Sequence, residues 1–216
     1  MRRMEGISTK LVSRISLYRR VLAGWSEQQQ ERIFSHQLAE LAGVNAALVR
    51  RDLMRIGFSG SPARGYDAAL LAERLASIFA GPGAQAAVLV GVGHLGRAIL
   101  AAFAERRARP SIVAAFDRDS SLCDEIVHGC RCHPMALLRP VVRRDSVDVG
   151  IVTVPAASAQ EVADRLVEAG VRGLLNFAPA RLRVPPHVFC EDVDLTAALD
   201  KTAFFARLGH LQENAS

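Results

Sequence analysis

The sequence predicts a mixed α/β chain in two parts: a helical unit, then a parallel-sheet unit that closes on a terminal helix. Three observations carry this. Before residue 80 the apolar residues recur only at helical spacing. After it, apolar runs of strand length alternate with helical patterns, the signature of a parallel sheet. Between the two lies Ala80-Gly81-Pro82-Gly83-Ala84-Gln85, where glycine and proline resist continuing a helix. The expected domains are residues 1–80, 84–194 and 195–216.

In the first unit, Ile7, Leu11, Ile15, Tyr18, Leu22 and Trp25 step by three and four, which makes an amphipathic helix with Arg14, Arg19 and Arg20 on its opposite face. Ser35 is the expected N-cap of a second helix, which runs through Leu38 and Ala39 to a stop at Gly43. Asn45 then caps a third helix from Ala46 to about Ile56, with Leu48, Val49, Leu53 and Ile56 inward. Small Ala39 at the crossing, Gly43 in the turn and Val44 and Val49 beneath it make a helix-turn-helix, within about residues 17–58. The turn formers from Gly57 to Tyr66 fit a hairpin wing, and residues 67–80 form a further helix through Leu70, Leu71, Leu75, Ile78 and Phe79.

Charge points to the partner of this unit. The chain carries 27 Lys+Arg against 22 Asp+Glu, a net charge of +5. Residues 1–80 hold 12 basic and 7 acidic residues, so the whole excess lies there. A basic module on a neutral body suits a phosphate backbone. Arg50, Arg51 and Arg55 stand on the exposed face of the third helix, where arginine can grip phosphate or read guanine. With Arg14, Asn45 and Arg64 they are the candidate contacts to double-stranded DNA.

In the second unit the strand Val88-Leu89-Val90 runs into Gly91-Val92-Gly93-His94-Leu95-Gly96, and Arg97-Ala98-Ile99-Leu100 opens a helix. A G-x-G-x-x-G between strand and helix is the Rossmann dinucleotide fingerprint. The tight turn, the close approach of backbone to pyrophosphate and close helix–strand packing explain the three glycines in turn, and the helix N-terminus attracts the phosphates. The strand Ile112–Phe116 ends at Asp117, placed to accept ribose hydroxyls and repel a 2′-phosphate, which favours NAD(H); Arg118 follows it, and Asp119 reads as a loop cap. A strand from Val147 to Val154 exits through Thr153-Val154-Pro155, a helix follows from about Ser158 to Glu168, and Gly170 stops it. The strand Val171–Phe177 exits through Asn176-Phe177-Ala178-Pro179. Ligands of open α/β sheets bind at the carboxyl ends of strands, so both exits are candidate walls for the nicotinamide end.

The remaining signals exclude classes. No stretch approaches the roughly 20 apolar residues that span a bilayer, and the N-terminus lacks a signal-peptide core, so a cytoplasmic protein is expected. Cys123, Cys130, Cys132 and His133 match no structural zinc spacing; the cysteines read as small buried residues or a weakly reactive thiol, and no metal is expected. A small NAD-dependent oxidoreductase is the first rival, weakened because no residues remain for a substrate domain. A DNA-binding regulator sensing a CoA-like ligand is the second, opposed by Asp117.

Over roughly residues 8–207 the chain resembles the Rex family of redox-sensing transcriptional repressors. The resemblance rests on LYRRVL, VRRD, GVGHLGRAIL, AAFDRD, the run from Thr153 to Pro179, and EDVDL. It implies a homodimer that binds an inverted-repeat operator when NADH is scarce and releases it when NADH displaces NAD⁺. It further implies that the helix from about Leu195 to Leu208 swaps across the dimer, its Leu199, Phe204, Phe205 and Leu208 forming an apolar stripe. Asp194 matches a family acid near the nicotinamide, and Arg20 a first-helix arginine it can contact. Two features depart from the family. Ala102, followed by Phe103, stands where the family has a tyrosine, and Ser61-Pro62-Ala63 replaces the usual basic residue of the wing.

Overall fold

The computed structural model describes residues 7–27, 31–61, 63–80, 85–104 and 110–213. Two compact units emerge, Met1–Gly83 and Ala84–Ser216. No helix among the described residues is long and apolar enough to cross a membrane.

The first unit contains α1 (Thr9–Glu27), β1 (Arg32–Ile33), α2 (Ser35–Ala42), α3 (Ala46–Arg55), β2 (Tyr66–Asp67) and α4 (Ala68–Phe79). Its core is the apolar face read from α1, with Leu11, Ile15, Tyr18 and Leu22 closed against Leu38, Leu53, Leu71 and Leu75. The turn after α2 follows its local chemistry. Gly43 adopts the left-handed conformation at φ 63°, and the Val44 N–H donates to Ala39 O at 2.9 Å, closing the last turn. Asn45 Oδ1 accepts from Leu48 N at 2.8 Å, the expected cap of α3. The cap of α2 differs. Ser35 is the first helical residue, and Phe34 precedes it with its N–H donating to Gln37 Oε1 at 2.8 Å. The glutamine satisfies the N–H of the cap residue, whereas a capping hydroxyl would have accepted from an N–H inside the first turn.

The wing is also built differently. Its sheet pairs β2 with β1, a two-residue strand ahead of α2, in antiparallel register. Among the described residues a single bridge, Ser61 to Gly65, closes the loop itself. Pro62 lies outside the described residues.

The second unit is a seven-stranded sheet: β3 (Ala86–Val90), β4 (Ser111–Asp117), β5 (Ile126–Val127), β6 (Cys130–Pro134), β7 (Val147–Val152), β8 (Gly173–Asn176) and β9 (Phe189–Asp192). Helices α5 (His94–Ala104), α6 (Leu138–Arg144) and α7 (Ala156–Ala169) link them, and α8 (Leu195–Glu213) follows β9. The strand order is β5-β6-β4-β3-β7-β8-β9, and only the β5–β6 pair is antiparallel. Without the edge strand β5 this is the 3-2-1-4-5-6 order of dinucleotide-binding sheets, which places the switch point at the carboxyl end of β3. Two crossovers carry no full helix. Between β4 and β6 there is one 3₁₀ turn, Ser120–Leu122, and the hairpin with β5. Between β8 and β9 a loop buries Ala178, Leu182 and Val188.

Cys130 and Cys132 share one face of β6, both buried, and burial pushes each thiol up to about 11. His133 lies on the opposite face, its ring 5.7 Å from that of Phe116. Among the described residues no cluster of metal-ligand side chains exists.

The terminal helix runs past the expected Leu208. At about 100° per residue its apolar side chains form two faces rather than one stripe. Leu195 and Leu199 lie on one side, Phe204, Phe205 and Leu208 on the other, and all five are exposed.

Candidate functional site

At the carboxyl end of the sheet two cavities follow the strand exits. The first, about 230 Å³, is lined by Gly91 and Gly93 of the loop, Asp117 and Arg118 after β4, and Thr153, Val154 and Pro155 after β7. Val90, Met135, Ser158 and Val162 complete it. The second, about 540 Å³, lies between the exits of β8 and β9 and is lined by Asn176, Ala178, Pro179 and Asp194 among others. Of the predicted ligand residues, Val92, His94, Leu95 and Gly96 line neither cavity.

The glycine loop explains itself sterically. Gly91 sits at φ +104°, and a Cβ there would lie 2.6 Å from Thr153 O. A Cβ on Gly96 would collide with the Gly91 carbonyl oxygen, whereas the space beside Gly93 is open. The loop is thus held tight against β7 and bare where a diphosphate would approach. The first N–H groups of α5, which begins at His94, have no intrahelical acceptors and carry the positive end of the helix dipole. These residues fit a dinucleotide.

Asp117 has two bonds in the protein: Oδ2 accepts from Val92 N at 2.6 Å, and Oδ1 from Asp119 N at 2.9 Å. A carboxylate has about four acceptor positions, so two remain for ribose hydroxyls. Asp119 acts as the loop cap: Ser121 donates to its Oδ1 through both hydroxyl and N–H, which lowers its pKa. Three predicted ligand residues turn polar groups inward. The Val92 N–H goes to Asp117, and its side chain is buried. The Thr153 hydroxyl donates to the carbonyls of Val90 and Gly91 at 3.0 and 2.8 Å, stapling β7 to the loop. The Asn176 amide is buried and bonded on both of its ends within the protein.

On the helical unit the exposed face of α3 presents Arg50, Arg51 and Arg55. Arg50 Nη1 donates to Ser35 Oγ at 3.0 Å, which ties α3 to the start of α2. Arg51 and Arg55 form no ion pair among the described residues. Arg64 is exposed in the wing turn. Arg14 is the exception to the predicted set. Its Nε and Nη2 donate to Asp52 at 2.6 and 2.8 Å, so its fork is directed into the fold. Tyr18 Oη donates to the same carboxylate at 2.9 Å. The bond to Asp52 raises the Arg14 pKa, and burial followed by that same carboxylate raises that of Tyr18. Asp52 itself, buried on α3, went unnoticed in the sequence, where it reads as one more polar residue after two arginines.

Two family models match the chain. Residues 84–180 match the CoA binding domain, and residues 6–53 match "Putative DNA-binding protein N-terminus". A redox-sensing transcriptional repressor Rex from Rhodopirellula baltica is 40% identical over 204 residues, covering 94% of this chain and 85% of that one. Rex 2 of Enterococcus faecalis is 36% identical over 192 residues, 89% of each chain. The chain belongs to the Rex family of redox-sensing transcriptional repressors. Among solved structures, the Rex-family repressor RSP superposes with a TM-score of 0.84 at 28% identity, covering 97% of this chain and 98% of that one. RSP in complex with β-NAD⁺ and operator DNA gives 0.83 at 28% identity, covering 97% and 96%. The Rex fold thus accounts for both units and for the sheet order.

Proposed function

We propose that this chain is a redox-sensing transcriptional repressor that binds an inverted-repeat operator as a homodimer and is released by NADH. The observation that carries this is a dinucleotide trough, complete with glycine cradle and Asp117, in a chain that also bears a helix-turn-helix with arginines outward. Relatives of known structure support it, since RSP has been solved with β-NADH and with β-NAD⁺ and operator DNA. In this reading residues 1–80 bind DNA, 84–194 bind NAD(H), and 195–216 join the copies. The protein works in the cytoplasm and as a regulator rather than an enzyme.

Gly91, Gly93 and the start of α5 would hold the diphosphate, Asp117 the adenosine ribose, and the exits of β7 and β8 the nicotinamide end. The bound dinucleotide supplies the redox signal; the chain binds and orients it. A ligand shifts an equilibrium only through its different affinities for two states, so NADH must fit better in the arrangement that mismatches the half-sites. The match to a CoA binding domain gives the second reading its support. Titrating the protein with NADH, NADPH and CoA, following nicotinamide fluorescence and operator gel shifts, separates the two. Tight CoA binding without a response to NADH would overturn the redox reading.

Asp117→Ala is expected to weaken NADH binding and narrow the preference over NADPH, because it removes both the ribose acceptor and the charge that repels a 2′-phosphate. Calorimetry with both cofactors checks it, and unchanged discrimination would reject the role of Asp117.

Exposed apolar faces on both sides of α8 are what a helix held between two surfaces presents. Deleting residues 195–216 is therefore expected to abolish tight operator binding while leaving measurable NADH affinity. A truncated chain that stays dimeric, binds operator and still releases it with NADH would defeat the shared-helix reading.

A further inference from the structure

Two polar side chains are buried among the described residues, Asp52 in the first unit and Asn176 in the second, each 1% exposed. Asn176 ends β8, paired with Asp192 of β9. Its Nδ2 donates to Ala180 O and to Asp192 Oδ1, each at 2.8 Å, and its Oδ1 accepts from Ala178 N at 3.0 Å. Its backbone carbonyl accepts from Val193 N at 2.8 Å. One residue later Asp194 Oδ1 accepts from Ala197 N at 2.8 Å and so caps the first turn of α8.

We infer that Asn176 is a positioning residue that couples the wall of the nucleotide trough to the root of α8. Its amide has both donor hydrogens engaged, one by Ala180 and one by Asp192, and both residues line the cavity. The Ala178–Ala180 wall is held at both ends of the amide, Ala180 O by Nδ2 and Ala178 N by Oδ1, while the second hydrogen of Nδ2 holds the Asp192–Asp194 segment, and both segments line the cavity of about 540 Å³. A buried amide that loses a partner is strongly disfavoured. A ligand that displaces the wall must therefore move the exit of β9, and with it the cap of α8, or break a bond of the buried amide. This rests on the proposed redox function only for the direction of the signal; the mechanical link is a property of the unit itself.

The test uses the full chain. Operator affinity is measured without NADH and at saturating NADH, saturation being checked by nicotinamide fluorescence, for the parent, Asn176→Asp, Asp192→Ala and the exchange Asn176→Asp/Asp192→Asn. Asn176→Asp sets two carboxylates against each other. Asp192→Ala removes the same bond from the exposed side and serves if the first variant fails to fold. The ratio of the two operator affinities is expected to fall roughly tenfold in each single variant, within the range of ordinary coupling. The exchange restores the bond between residues 176 and 192 with roles reversed but not the one to Ala180 O, so it should recover part of that ratio. Hydrogen exchange of the Ala197 and Ala198 amides, in ligand-free protein, should quicken roughly tenfold in the single variants as the α8 root loosens. A lowered melting temperature with an unchanged ratio and unchanged exchange would reduce Asn176 to a scaffold. Weaker NADH binding with an intact ratio at saturation would make it a ligand contact only. An unchanged ratio in Asp192→Ala would remove Asp192 from the coupling. If the parent itself ignores NADH, the redox reading fails, and the exchange measurement alone decides the link.

Discussion

Asp52→Ala is expected to lower the stability of the N-terminal unit by about 2–3 kcal/mol, below the range for wholly buried pairs because one partner reaches solvent. Asp52 is 1% exposed and Arg14 22%, with the guanidinium fork and the Tyr18 hydroxyl on the same carboxylate. Removing the carboxylate leaves a phenol inside the core without its acceptor and a cation half inside it. Arg14 can partly rehydrate; Tyr18, fully buried, cannot. Replacing both charges together, as Arg14→Met/Asp52→Leu, should cost less than Asp52→Ala, because no orphaned charge remains. Urea unfolding of the full chain, followed by the fluorescence of Trp25, reads both effects. A shift worth less than about 0.5 kcal/mol, the level of an ordinary surface substitution, would mean that this pair does not hold α3 to α1.

Arg51→Ala/Arg55→Ala is expected to weaken operator binding by roughly 2–6 kcal/mol, from about 1–3 kcal/mol per lost contact. The two residues are four apart on α3, one turn, and both are exposed. NADH binding should not change, since α3 belongs to the other unit. Salt titration then says what each arginine touches. Losing a phosphate contact lowers the slope of log affinity against log salt by about one, whereas losing a base contact leaves the slope and relaxes sequence preference. Normal operator binding by the double variant at physiological salt would remove α3 from the interface.

Much of the fold was legible because the rules that produce it are local. Gly43 stops α2 and Asn45 caps α3 through atoms within a few residues, and Gly91 and Gly96 follow from one loop. The elements that escaped notice carry little local signal. β1, β2 and β5 are two residues long, too short for any periodicity. β6, reading Cys-Arg-Cys-His-Pro, and β9, reading Phe-Cys-Glu-Asp, lack the apolar runs expected of a parallel sheet. They become strands because β4 and β8 offer unpaired edges.

The sequence by itself determined the two units' fold types, the glycine cradle, the acid at the end of β4 and the face of α3 that points outward. Tertiary structure decided which polar groups remain for a ligand. Arg14 meets Asp52 across 38 residues, Thr153 meets the Gly91 carbonyl across 62, and Asn176 meets Asp192 across 16. A residue's type states that it can donate or accept. Its partner is whatever packing brings within hydrogen-bond reach, and a buried polar group must take that partner because water cannot replace it.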